Sequence, residues 1–258
     1  MLEMTAHRTY PPANGPWIIR QSWRNLLFAH WPVPEELLRP LIPNALDVDT
    51  FEGQAWIGIV PFRMEIAPRG LENSLFKRSF NELNVRTYVT HQGRHPGVWF
   101  FSLDAGDPLS VASARMFYKL PYFNAEATCR THEDQIFYQS RRTHPHAPGA
   151  EFDADYGPIS AAFQARWCSL EYWLTERYCL YTADQQGQIY SGEIHHAPWH
   201  LQPAQAEFRA NRMTECLGIQ LPDTAPHLLY SEHLEMIAWP IRRVSEQYLA
   251  QFGEAPSG

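Results

Sequence analysis

No stretch of this sequence approaches the roughly 18 consecutive apolar residues that cross a bilayer as a helix, so no membrane-spanning helix is expected. The N-terminal run MLEMTAHRTYPPANGPW has neither the basic segment nor the apolar core of a secretory signal, and a cytoplasmic location is the resulting expectation. Basic side chains are outnumbered, 21 against 28 acidic ones. A formal charge of −7 lacks the basic field that sequence-independent nucleic-acid binding requires. Cysteine is sparse: Cys129, Cys168, Cys179 and Cys216, with no C-x-x-C among them. That spacing excludes a zinc ribbon and a dense disulfide framework and leaves buried free thiols as the expectation. There is no G-x-G-x-x-G after a strand, no G-x-x-x-x-G-K-[ST] and no G-x-S-x-G, so nucleotide-fold and hydrolase readings lack their usual support. Twelve histidines are present but no H-E-x-x-H. His195 and His196 are neighbours on an expected strand and point to opposite faces, so they cannot share one ion. Neither a metal nor a cofactor is expected.

What the chain does contain is an ordinary globular composition, 45% apolar and 19% charged, unusually rich in rings with nine Trp, twelve Tyr and fourteen Phe. Such a surplus suits strands and concave pockets, and would also suit a homo-oligomer. Residues 1–16 read as a loose leader, 17–241 as a single domain and 242–258 as a short tail. Trp17 to Trp31 forms one extended strand or two short ones. Pro34 opens a short helix through Leu38. Leu46–Asp49 and Gln54–Val60 read as a hairpin round Phe51-Glu52-Gly53. Residues 65–79 read as loop, and Gly97–Leu103 as a central strand beside the one that precedes it. Asp107-Pro108 caps a helix running to about Tyr118 and carrying Arg115. Strands follow near 124–131, 134–142 and 151–156. Ser169 caps Leu170–Thr175, and a hairpin joins 177–182 to 188–195. Pro203 opens a second helix that Gly218 closes after Leu217, and His227–Trp239 is a final strand. This pattern excludes β-α-β alternation. It predicts an α+β fold of mostly antiparallel, strongly curved sheets, barrel-like round a central cavity, with a few short helices.

One strand carries the chemistry. In Phe80-Asn81-Glu82-Leu83-Asn84-Val85-Arg86-Thr87-Tyr88-Val89, a period of two puts Glu82, Asn84, Arg86 and Tyr88 on one face. Leu83, Val85, Thr87 and Val89 fall on the other. A wet outer face would explain the polar side. A carboxylate, an amide, a guanidinium and a phenol together would equally line a pocket.

Two segments resemble acetoacetate decarboxylases: the Pro-Glu-rich opening Trp31 to Leu46, and Phe80-Asn81-Glu82 leading into its strand. A fuller match is carried by Ala29-His30-Trp31-Pro32-Val33-Pro34, the strand 80–89, Phe101-Ser102-Leu103-Asp104, Leu120-Pro121-Tyr122 and Glu176-Arg177-Tyr178. These are similar to the YqjF-like bacterial family, which is grouped with the acetoacetate-decarboxylase-like superfamily. The resemblance implies a single α+β domain round a cavity. In the decarboxylases a lysine condenses with a ketone, assisted by a glutamate and an arginine. By that resemblance Glu82 matches the glutamate, Arg24 corresponds to the arginine to within a residue, and Tyr122 stands where the lysine belongs. A phenol cannot form an imine. Lys119, before the proline, points elsewhere.

Glu82 and Arg86 lie about 13 Å apart along the strand and cannot pair directly, so Arg115 or Arg24 could partner Glu82. A Glu–Arg pair bracing the sheet and a catalytic carboxyl are both open. Asn84 could orient a carbonyl or carboxylate, and Tyr88 and Tyr122 could donate hydrogen bonds or act as acids. On the later hairpin Glu193, His195 and Ala197 share one face and Ile194 and His196 the other. His196, with Trp199, is a weaker candidate for a cavity wall. Arg177 reads equally as a surface partner of Glu176 or Glu171. The expected ligand is a small carbonyl or carboxylate compound, held by Arg86 or Arg115 and acted on by Glu82 without an imine. The alternative is a binding protein that has lost the nucleophile.

Overall fold

The computed structural model describes residues 4–249 and residue 252. In chain order the elements are β1 (Ile19–Val33), α1 (Glu35–Leu38), β2 (Asp47–Val48), β3 (Ala55–Pro68), β4 (Arg78–His91) and β5 (Arg94–Ala105). Next come α2 (Pro108–Ser113), β6 (Tyr122–His132), β7 (Gln135–Arg142), β8 (Glu151–Pro158), α3 (Leu170–Thr175) and β9 (Cys179–Ala183). The chain ends with β10 (Ile189–His196), β11 (Gln202–Asn211), β12 (His227–Ala238), β13 (Arg242–Arg243) and α4 (Glu246–Leu249). The fold is α+β, sheet-rich and strongly curved. No helix among the described residues is long and apolar enough to cross a membrane.

Following the hydrogen-bonded neighbours, β12, β1, β3, β4, β5, β9 and β10 succeed one another and return to β12, closing a ring of strands. A second course, β6, β7, β8 and β11, leaves the ring at β5 and rejoins it at β12. All pairings are antiparallel except those of β5 with β6 and with β9. Closing a ring requires sharp bending, and register shifts supply it: one in β1 after Arg24, where Asn25 has φ +54°, and one in β5 at Phe101, which is skipped between the pairs Val85–Ser102 and Arg86–Phe100. An extra residue on one strand bends and twists it locally.

The chain makes its turns where small or capping residues permit them. Gln92 and Gly93, both at positive φ, join β4 to β5. The Asp107 carboxylate accepts the Ser110 N–H at 3.0 Å and starts α2, which widens into a π-helical turn, Ala114–Tyr118, before Lys119 ends it in the left-handed region. The Ser169 hydroxyl accepts the Tyr172 N–H and starts α3.

Three local expectations are overturned. The turn round Glu52-Gly53 forms, with Phe51 bridging Gln54, but β2 pairs with β4 rather than with β3, Asp47 opposite Thr90. The expected loop at 65–79 is shorter, because β3 continues to Pro68 and β4 begins at Arg78. The helix expected from Pro203 is β11, although Gly218 does cap the short 3₁₀ turn Glu215–Leu217. Ala, Gln, Glu and Arg favour a helix as isolated residues, but here period-two burial wins. Ala204, Ala206 and Phe208 pack on the core, while Arg209 reaches Asp153 and Asp155 of the adjacent β8.

The two ends of the chain are tied to this sheet. Residues 4–16 carry no helix or strand, yet the Arg8 side chain donates to the Ile194 carbonyl at 2.8 Å and Tyr10 is buried. At the other end Val244, Tyr248, Leu249 and Phe252 join the main core.

Candidate functional site

The ring encloses a cavity of about 820 Å³ whose lining comes from β1, β3, β4, β5, β9, β10 and β12 together with α2 and the turn after it. The alternation of β4 decides which of its side chains enter. Leu83, Val85 and Val89 turn into the core shared with Ile136, Tyr138 and Phe152. Glu82, Asn84 and Arg86 turn into the cavity.

Glu82 is 2% exposed. The Tyr122 hydroxyl, at the start of β6, donates to its Oε2 at 2.8 Å, and the Asn84 side chain is a second hydrogen-bond partner. Burial penalises the ionised form most, and the nearby Asp104 carboxylate adds repulsion. Together they outweigh the two hydrogen bonds and push the Glu82 carboxyl up to about 8. At neutral pH this is a protonated acid. Burial likewise holds the Tyr122 phenol well above its usual range. Asp104 is itself secured by a forked pair to Arg142, 2.7 and 2.8 Å, with both side chains buried.

Further along the strand Asn84 keeps its Oδ1 buried without a hydrogen-bond partner, as does Arg86 its Nε. The Arg86 guanidinium lies 5.2 Å from the Phe28 ring and faces no carboxylate among the described residues. Tyr88 shares this face but lies behind the cavity. Its hydroxyl donates to the Leu174 carbonyl at 2.9 Å, so the bond of 2.6 Å to His30 must be donated by His30 Nε2–H. Burial, with repulsion from Arg86 and His227, depresses the His30 pKa and keeps that ring neutral. Gly58 of β3 makes the arrangement possible: a Cβ there would sit 2.8 Å from His30 Nε2 and 3.4 Å from Arg86 Cγ.

His196 lines the opposite wall. Its Nδ1–H donates to the Ala197 carbonyl at 2.7 Å, its ring stacks on Tyr178, and burial lowers its pKa to about 3. It is a neutral acceptor and a poor base. Arg177, which the sequence placed equally well at the surface, also lines the cavity. It donates to Asp49 at 2.6 Å and to the Trp173 carbonyl, and lies over the Tyr88 and Trp173 rings. The resemblance had already marked it within Glu176-Arg177-Tyr178, and His30 within Ala29-His30-Trp31. Gly58 left no comparable local signal.

Neither arginine considered for Glu82 reaches it. Arg24 is exposed on the outside of the ring, opposite Arg63 and His233 on the neighbouring strands. Arg115, also exposed, donates to the Tyr122 carbonyl at 2.6 Å and so fixes the start of β6. Arg24 falls on the outward phase of β1, and Arg115 sits on the exposed π-helical turn after α2. Lys119 points away, its Nζ over the Tyr190 ring, and no lysine lines the cavity among the described residues.

One buried group, which meets the cavity wall at Cys179, offers metal-ligand chemistry. His95, Cys179 and Glu193 bring their ligand atoms within 4.8 Å of one another. The Ser191 and Tyr248 hydroxyls reach Glu193 Oε1 at 2.9 and 3.1 Å. This cluster unites three segments, which is why spacing along the chain did not disclose it.

The sequence matches the model of family DUF2071, described as an uncharacterized conserved protein, over residues 20–235. It is 45% identical to the uncharacterized protein YqjF of Bacillus subtilis (strain 168) over 246 residues, covering 95% of this chain and 100% of that one. Among solved structures, the enduracididine biosynthesis enzyme MppR complexed with pyruvate superposes with a TM-score of 0.64 at 10% identity, covering 91% of this chain and 93% of that one. Acetoacetate decarboxylase from Legionella pneumophila gives 0.59 at 13% identity, covering 92% and 90%.

Proposed function

We propose that this chain, which belongs to the DUF2071 family, binds a small carbonyl or carboxylate compound in the ring cavity and acts on it by acid–base chemistry without an imine. The observation that carries the reading is Glu82: a buried carboxyl, raised to about 8, open to a cavity that also holds an arginine with no carboxylate partner among the described residues. Catalytic carboxyls are raised in this way so that they hold a transferable proton near neutral pH. The pyruvate in MppR and the keto acid named in acetoacetate decarboxylase support a ligand of this chemical kind.

In this reading Arg86 takes the ligand's carboxylate and Asn84 orients the adjoining carbonyl or hydroxyl. Glu82 gives its proton to the ligand's oxygen, and the carboxylate left behind accepts a proton from the neighbouring carbon. Where that oxygen is a hydroxyl it departs as water, the dehydratase direction, and the reverse addition is the hydratase direction; where it is a carbonyl the same two transfers give the enol. Tyr122 steadies the Glu82 carboxylate between the two transfers. The lack of a lining lysine among the described residues argues against a covalent imine and equally favours a second reading, a non-catalytic binding protein.

A thermal-shift screen of keto and hydroxy acids, followed by NMR of turnover and of deuterium exchange next to the carbonyl, tests both readings. The expected result is a stabilising acid whose exchange or turnover is lost in Glu82→Gln. Undiminished turnover in that variant, or a borohydride-trapped lysine adduct, would overturn the acid–base reading. A bound acid that the parent neither exchanges nor converts would decide for the binder.

A further inference from the structure

The cavity is far larger than its polar part. β4 runs from Arg78 at the mouth to Arg86 at the floor, about 26 Å by strand rise, and both residues line the space. Glu82, Asn84, Arg86, Tyr122 and His196 belong to the inner half, and the polar lining nearer the mouth is Gln21, Arg78, paired with Asp107, and the α2 serines Ser110 and Ser113. From Glu82 outward the strand opposite presents Phe62, Met64 and Ile66, whose partners across the ladder are Glu82, Phe80 and Arg78. The mouth is ringed by Leu75, Phe76, Leu109 and Phe117, between 65% and 99% exposed. A keto acid of about seven heavy atoms displaces at most roughly 200 Å³ if each atom takes a water's share of volume. That leaves most of the 820 Å³ as water against apolar walls. Cavities of this size and lining accommodate much larger ligands.

We infer that the ligand is amphipathic: an acid head on Arg86, Asn84 and Glu82, and an unbranched apolar chain laid outward past Met64 and Ile66 to the mouth. The inference rests on the proposed reading of the floor as the head-group site. Glu82 to Arg78 spans about 13 Å, and an extended chain advances about 1.3 Å per covalent bond. The channel therefore holds a chain of roughly ten carbons beyond the head. The order of groups fixes the direction, since the only guanidinium without a carboxylate partner among the described lining residues is at the inner end and the exposed apolar side chains are at the open one.

Isothermal titration of the full chain with straight-chain 3-hydroxy acids and plain carboxylates of four to fourteen carbons, each below its micelle concentration, tests this. Affinity is expected to rise about fourfold per added methylene and to level off once the chain reaches the mouth. Met64→Trp, which is meant to block the channel one ladder step beyond Glu82, should end the rise after a few carbons and leave four-carbon binding unchanged. Ile66→Trp should end it later and serves if Met64→Trp fails to fold. Glu82→Gln should shift every member of the series equally without altering the slope. Affinity independent of chain length, or equal weakening of short and long acids by both tryptophan variants, would overturn the proposal. Alkyl alcohols serve as the control for the head: if they match the acids at every length in the parent and in Arg86→Leu, the channel stands and the acid head-group reading falls.

Discussion

Two glutamate–tyrosine pairs flank the same cavity, and they differ in almost everything but composition. In one, the Tyr122 hydroxyl donates to Glu82; in the other, the Tyr178 hydroxyl donates to Glu176. Burial raises both carboxyls. Glu176 is then relieved by the Trp199 backbone N–H at 3.0 Å and by the positive charge of Arg8, which also lies over the Tyr178 ring. Glu82 instead has Asp104 as its charged neighbour, which raises it further. Glu82 lines the cavity, whereas only the residues on either side of Glu176 do. The same two side chains thus make a brace in one setting and a proton donor in the other. The surrounding charge and access to the cavity determine which.

The largest consequence is a pH dependence of stability carried by Glu82. Its folded-state pKa of about 8 lies above the ordinary 4.5. Between those values the folded chain holds a proton that the unfolded chain has lost, so stability falls as pH rises and levels off above about 8. The gap corresponds to at most roughly 5 kcal/mol. Denaturant melts at pH 5, 7 and 9 should show that decline in the parent and a much flatter profile in Glu82→Gln. An equal slope in the two proteins would break the distinction between the pairs.

How much of this could be read from the chain depended on whether the signal was local. The faces of β4 were legible because period two needs nothing beyond the strand, and the caps at Asp107 and Ser169 because each acts on an N–H three residues away. β11 was not, since its pairing with β8 and β12 overrode the helix preference of its own residues. The partner of Glu82 was misread for the same reason. Arg24 and Arg115 were near in argument, but Arg24 faces outward from β1, Arg115 lies on the exposed turn after α2, and Tyr122 is brought in instead. His30 and Gly58 lie on different strands, and their fit to one another exists only after β1 and β3 pair at that register.

Next in size is the charge that separates the pairs. Arg142→Met leaves the buried Asp104 side chain without its forked partner, a change of about 3–5 kcal/mol. Loss of the Arg142 positive charge should also move the Glu82 midpoint to still higher pH. Adding Asp104→Asn to Arg142→Met should recover part of the stability and bring the Glu82 midpoint below that of the single variant. Urea melts and the pH profile read the two effects separately.

A smaller effect is expected from Gly58→Ala. The new Cβ must displace the His30 ring or the Arg86 stem, and overpacking a buried site costs about 1–3 kcal/mol. Because Arg86 is the proposed carboxylate partner, acid binding should weaken more than stability falls. A variant that binds acids like the parent would detach Arg86 from the site.

The finest test exchanges one hydroxyl in each pair. Tyr122→Phe and Tyr178→Phe each remove one hydrogen bond, worth about 1 kcal/mol, so their melting temperatures should drop by similar amounts. Their pH profiles should not agree. The Tyr122 hydrogen bond favours the ionised form of Glu82; without it the midpoint should rise above about 8 in both stability and turnover. The Tyr178 hydroxyl acts on Glu176, which retains the Trp199 N–H and the field of Arg8, so the Glu82 midpoint should stay in place. A shift of that midpoint in Tyr178→Phe as large as in Tyr122→Phe would mean that the two carboxyls titrate as one system across the cavity. The proton would then belong to both pairs, and the division into brace and donor would fail.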